Sequence, residues 1–138
     1  MVFRIVRYDA KYQNAVLELW HTCGLIRPQN NPVQDIERKM AFQPNLFFVA
    51  LLNDEVVGAV MAGYEGHRGW LNYFAVAPAH QRRGYGRRLV ERAFAELKKL
   101  GCPKVNLQVR RENASAIEFY RKLGFKEDDV LSFGKRLE

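Results

Sequence analysis

Three arginines bracket two glycines in the run Gln81, Arg82, Arg83, Gly84, Tyr85, Gly86, Arg87. That spacing suits one kind of chemistry, the binding of an anion on backbone amides. A long apolar stripe follows at once, so the run stands where a helix must begin, and the first amides of a helix have no acceptor within it. A Ser, Thr, Asp or Asn normally caps them, and none stands in this run. Glycine allows close approach of a ligand to the backbone, and the helix dipole with Arg82, Arg83 and Arg87 favours negative charge, so a pyrophosphate fits. Taken alone, the same glycines would also serve to tighten a turn between a strand and a helix. A Rossmann fingerprint fits poorly, because its third glycine position holds Leu89 and no carboxylate closes the following strand at Val109. A P-loop is excluded by the absence of a Gly-Lys-Ser/Thr triplet.

The elements that must hold this loop are legible from periodicity. Residues 2–7 alternate as a strand, and Ala15, Val16, Leu19 and Trp20 recur at helical spacing until Gly24. Asn31 followed by Pro32 predicts the cap and first turn of a helix through Phe42, closed by Pro44. Two apolar runs, 46–52 and 56–64, flank Asn53, Asp54 and Glu55 as a hairpin, and a second hairpin around 65–69 leads into a strand over 70–76 that Pro78 stops. Leu89, Val90, Ala93, Phe94, Leu97 and Leu100 form the stripe of the clearest helix, ended by Gly101 and Pro103. Val105, Leu107 and Val109 alternate as the next strand. A shorter helix is predicted over 113–123, then strand character at Phe125 and over 130–133. The expected class is α/β with mixed α+β character: a central mixed, largely antiparallel sheet with helices on both faces, in a single domain over 1–138.

Composition narrows the function classes. With 48% hydrophobic and 27% charged residues the chain is ordinary globular material, and its longest apolar run, 46–52, is far too short to span a bilayer. Arg4 and Arg7 interrupt the N-terminal apolar residues before a signal peptide could form, so a cytoplasmic protein is expected. Cys23 and Cys102 lack CxxC spacing and a histidine cluster, which implies neither a metal site nor a disulfide framework. A net charge of +7 favours an anionic ligand without choosing which.

A second set of residues, Asn113, Ala116, Phe119, Tyr120, Gly124 and Phe125, lies on and just after the helix that follows the next strand. Together with the glycine-arginine run, in this order and in these strand and helix contexts, it resembles the Gcn5-related N-acetyltransferase (GNAT) family over the whole chain. Segments 25–28, 31–32, 35–40, 63–69, 101–104 and 130–137 carry a narrower resemblance to small, single-domain bacterial acetyltransferases of the YpeA type.

The resemblance implies a sheet splayed at the cofactor site and acetyl-CoA as co-substrate, with no metal. Phe74, Ala75 and Val76 would pair their backbone with the pantetheine arm, and the Val76 amide would face the thioester carbonyl. Gln81, Arg82, Arg83, Gly84, Tyr85, Gly86 and Arg87 would line the phosphates, and Asn113 would cap its helix and orient the cofactor arm. Tyr120 would protonate the departing thiolate. The general base is open: relatives place a glutamate on the strand beside the thioester, whereas residues 70–76 contain no acid. Glu65 and His67, in the hairpin entering that strand, are the nearest candidates, and a water chain is another route. Arg27, Asn30 and Asn31 are placed to meet the acceptor.

The implied activity is transfer of an acetyl group to a primary amine, on a small molecule or a protein N-terminus, by direct attack in a ternary complex. The implied partners are that small-molecule or peptide amine, with no nucleic acid and no membrane, and a homodimer is compatible. Two other readings stand beside it. One is a basic nucleic-acid-binding module using Arg82, Arg83, Arg87, Arg88 and Arg92, which lacks any recognised DNA or RNA motif. The other is a catalytically silent acyl-CoA sensor.

Overall fold

Helices form on both faces of the sheet because every residue of one central strand is apolar. That strand, β2 (Phe47–Leu52), is buried at all six positions and so needs cover above and below. The computed structural model describes residues 1–138. Its five-stranded sheet runs in the order β1 (Phe3–Arg7), β2, β3 (Glu55–Tyr64), β4 (Gly69–Val76), β5 (Val105–Leu107). Neighbours are antiparallel except β4 and β5, which are parallel and are joined through α3 (Tyr85–Lys99). The β2–β3 loop is the two residues Asn53 and Asp54, both with positive φ (50° and 67°), as a twist-matched hairpin requires.

One face carries α1 (Gln13–Thr22) and α2 (Pro32–Phe42). Val16, Leu19, Trp20 and Ile36 pack there with Phe47, Val49, Leu51, Ala59, Met61 and Ala75. The alternate residues of the same strands face α3, whose Leu89, Val90, Ala93 and Leu97 are buried. A Cβ added at Gly58 would stand 3.4 Å from Leu89 Cδ2 and 3.1 Å from the Ala75 carbonyl, so α3 seats against backbone there.

By density of contacts the chain forms two compact units, residues 1–108 and 109–138. The second holds α4 (Ala114–Lys122), capped by Asn113, whose Oδ1 accepts from the Ala116 amide at 3.3 Å. Two expectations are corrected here. The strand predicted over 105–109 ends at Leu107, and no strand forms at Phe125 or over 130–133. Val130, Leu131 and Phe133 are 75%, 79% and 91% exposed, and an apolar pattern without a paired neighbour does not make a strand.

Candidate active site

The strand β4 outlasts its neighbour. Gly69, Trp70 and Leu71 pair with Val105, Asn106 and Leu107, after which β5 ends and β4 continues to Val76. Against β3, two steps from Met61 to Ala59 are matched by three steps from Asn72 to Ala75, which is a β-bulge. Tyr73 sits in that bulge with φ +54°, left-handed backbone that an aromatic residue seldom takes. Beyond it the ladder resumes with Ala59 opposite Ala75 and Gly58 opposite Val76.

The ladder fixes where the Val76 amide points. Ala77 N donates to Val57 O at 2.8 Å, which makes Val76 and Gly58 a pair without mutual hydrogen bonds. Both backbone groups of Val76 therefore point away from β3, toward the side that β5 has left. On that side the Val76 carbonyl accepts from Gln81 Nε2 at 2.9 Å and from Cys23 Sγ at 3.5 Å. Alternation turns the Ala75 amide and carbonyl the other way, to β3, and buries its side chain in the α1 and α2 core. Phe74, half-buried, precedes them, directly after the bulge residue Tyr73.

The loop after β4 is shaped by two left-handed residues, Arg82 at φ +64° and Gly84 at φ +83°. Gly84 is the N-cap of α3, no side chain caps that helix, and its first turn carries no acid. A Cβ built on Gly84 would meet nothing within 4 Å, so the approach to this helix end is open, as a bound phosphate needs. Arg82, Arg83 and Arg87 are exposed, and Gly86 is buried. Gln81 spends its side-chain amide on Val76. The Tyr85 ring stacks on Phe3 with centroids 4.3 Å apart, leaving its backbone to serve the loop. Arg88 lies over the Phe3 ring at 4.4 Å, and Arg92 lies over Phe48 at 5.1 Å while donating to Ile5 O at 3.3 Å. These last two arginines are packed onto aromatic rings, which shrinks the basic face a nucleic acid could use.

In the second unit, Tyr120 is ringed edge-on by Phe119 and Phe125, at 5.4 and 5.6 Å between centroids. Burial pushes its phenol up to about 12, because the phenolate would lose its hydration.

The two expected base candidates differ. The Glu65 carboxylate accepts the backbone amides of His67, at 2.6 Å, and Arg68. Those two bonds hold it below the usual carboxylate range, so it closes the hairpin and is a weak proton acceptor. His67 is exposed. In the loop before α2, Asn31 is the cap, its Oδ1 accepting from Gln34 N at 3.1 Å, while Arg27 and Asn30 are exposed. Burial raises the Cys23 thiol, the wrong direction for a nucleophile, and no three His, Cys, Asp or Glu side chains gather as a metal site.

Sequence reasoning missed the acid that the structure brings to β4. The Tyr73 hydroxyl donates to Asp35 Oδ2 at 2.6 Å, and the Tyr73 ring stacks on Trp20 at 4.1 Å. Asp35 begins a polar ladder along α2 at four-residue spacing. Lys39 Nζ donates to the Ala62 carbonyl, and Gln43 exchanges bonds with the backbone of Tyr64, 2.9 Å to its carbonyl and 3.1 Å from its amide. The Asp35, Lys39, Gln43 spacing was the available signal, three polar residues on the helix face that also carries Ile36 and Met40.

Known proteins share this fold. Residues 13–125 match the Acetyltransferase (GNAT) family, a span that runs across both units. An acetyltransferase of Pectobacterium atrosepticum is 45% identical over 137 residues, 99% of this chain and 96% of that protein. Among solved structures, the ribosomal-protein-S18-alanine N-acetyltransferase of Escherichia coli superposes with TM-score 0.76 at 25% identity, covering 92% of this chain and 79% of that one. A PaiA N-acetyltransferase from Thermoplasma acidophilum, solved with coenzyme A, superposes at TM-score 0.75 and 21% identity, covering 94% and 93%.

Proposed function

Because this chain belongs to the GNAT family of acetyltransferases, we propose that it moves an acetyl group from acetyl-CoA to a primary amine, by direct attack within a ternary complex. The observation that carries this reading is the Val76 amide. It faces outward from a strand whose neighbour has parted, immediately before an uncapped helix end flanked by exposed arginines.

The roles follow from elementary chemistry. The main-chain amides around Gly84 and Gly86, with Arg82, Arg83 and Arg87, hold the pyrophosphate of the donor. The Val76 amide donates to the acyl oxygen as negative charge collects there, a contact that strengthens toward the transition state. The amine enters neutral, its nitrogen bonds to the acyl carbon, and the carbon–sulfur bond breaks. The surplus proton on nitrogen goes to solvent. Tyr120 gives its phenolic proton to the departing sulfur and recovers one from water. Asn113 keeps the start of α4 in place. Burial raises the Cys23 thiol, which speaks against an acetyl-cysteine relay.

Calorimetric titration with acetyl-CoA, followed by initial rates with both substrates varied, tests the reading. Micromolar binding and intersecting double-reciprocal lines are expected. Parallel lines would replace direct attack by a covalent relay, and a folded protein that does not bind acetyl-CoA would remove the reading altogether.

A further inference from the structure

The carboxylate of Asp35 is anchored on one oxygen and only loosely paired on the other. Oδ2 takes the Tyr73 hydroxyl at 2.6 Å, while Oδ1 has the Arg38 guanidinium at 3.8 Å, beyond hydrogen-bond reach. The Asp35 side chain is 30% exposed and that of Arg38 61% exposed, so Oδ1 can take a new cation without breaking a buried pair. Its anchor is unusual in itself. Tyr73 occupies left-handed backbone in the β4 bulge, a strained conformation that persists where the surroundings impose it. The ring is held from one side by Trp20 and from its hydroxyl by Asp35.

This pair sits close to the proposed site of attack. Tyr73 precedes Val76 by three residues, roughly 10 Å along a strand and less through a bulge. The strand thus sets the Tyr73 backbone within about one small-molecule length of Val76, and the Tyr73 side chain carries the carboxylate on from there toward α2. The charge of the chain adds a second argument. At a net +7, the protein repels cations in general, so a cationic acceptor can be favoured only by a local carboxylate held in place. Arg38 and Lys39 are the basic groups on the same stretch of α2. Lys39 is turned to the Ala62 carbonyl, and Arg38 is the group an acceptor's cation would displace.

We propose that Asp35, positioned by Tyr73, is the anionic anchor for acceptors that carry a second cationic group besides the amine that is acetylated. The favoured ligand is a small α-amine with a basic side chain, or a peptide N-terminus beginning with one, whose guanidinium or ammonium docks on Asp35 Oδ1. Asp35 takes no proton in the reaction, and Tyr73 is a positioning residue. The proposal rests on the acetyl-transfer reading above.

Argininamide and citrullinamide make the test, since they share a shape and one reactive α-amine and differ by one charge. The wild-type protein should prefer argininamide in kcat/KM by tenfold or more, expressed mainly in KM. Asp35→Asn keeps an oxygen for the Tyr73 hydroxyl and removes only charge, and it should bring the ratio of the two acceptors to within threefold. Tyr73→Phe should lower the ratio by threefold or more, because the carboxylate loses its donor. A wild-type ratio near one, a ratio unchanged in Asp35→Asn, or equal losses on both acceptors would overturn the anchor and leave Asp35 a fastener of α2. If neither amide is acetylated while acetyl-CoA binds, the anchor is refuted and the acetyl-transfer reading stands. If acetyl-CoA does not bind, that reading falls and takes the anchor with it.

Discussion

Replacing Tyr120 by phenylalanine removes one hydroxyl and keeps the ring that packs edge-on between Phe119 and Phe125. Fold and donor binding should therefore survive. The magnitude of the catalytic loss follows from the desolvation of this half-buried phenol. It sits at about 12, against about 8.5 for a thiol, so complete transfer before the carbon–sulfur bond weakens would be uphill by some 3.5 units, or about 4.8 kcal/mol. The proton must then move as charge develops on sulfur, and a donor acting this way is worth roughly a hundredfold or more, about 2.7 kcal/mol. A second signature separates this tyrosine from an ordinary one. At pH 9.5 a phenol at 12 is only about 0.3% ionised, whereas one at 10 would be about 24% ionised. Turnover in the wild-type protein should thus stay level to about pH 10 once the acceptor amine is neutral. The assay is release of CoA thiol between pH 6.5 and 10, with kcat and the acetyl-CoA KM determined for both proteins. Wild-type kcat in Tyr120→Phe would reassign the residue to packing, and a wild-type limb falling near pH 10 that the variant lacks would show an unperturbed phenol.

Gly84→Ala places a side chain at φ +83° with nothing within 4 Å of its Cβ, so backbone strain alone should cost about 1–2 kcal/mol; calorimetry should show a lower Tm and about tenfold weaker acetyl-CoA binding, and unchanged binding would remove this loop from the phosphate site. Gly58→Ala drives a methyl to 3.1 Å from the Ala75 carbonyl and 3.4 Å from Leu89, and the urea midpoint should fall by an amount equivalent to about 1–3 kcal/mol. Lys39 is lowered to about 8 by desolvation. Its folded form holds the proton less tightly than the unfolded chain, so stability should rise between pH 8 and 10, and Lys39→Met should flatten that rise in denaturant titrations. With Glu65 held below the usual range and no acid in β4 itself, the acceptor must supply its own neutral fraction. At pH 7 that is about 14% for an α-amine and about 0.04% for a lysine amine. Matched acceptors should therefore show a clear α-amine preference, whereas an ε-amine preference lost on replacing His67 would identify a base.

Local pattern decided much of this protein. The stripe from Leu89 to Leu97 fixed α3, Asn31 with Pro32 fixed the start of α2, and Asn113 fixed the start of α4, because helix spacing and caps are written within a few residues of one another. The glycine-arginine run before α3 was legible for the same reason, since an uncapped helix end is a local fact. Whatever depends on pairing was decided only by tertiary structure. The strand expected over 130–133 has the apolar residues and lacks a partner, and β5 stops at Leu107 although Val109 continues its alternation. The outward direction of the Val76 amide rests on a bulge, and a bulge is a register relation between β3 and β4 that neither strand contains alone. Asp35 and Tyr73 lie 38 residues apart and meet at 2.6 Å. No periodicity in one chain segment encodes such a meeting, because the packing of α2 on the sheet sets it.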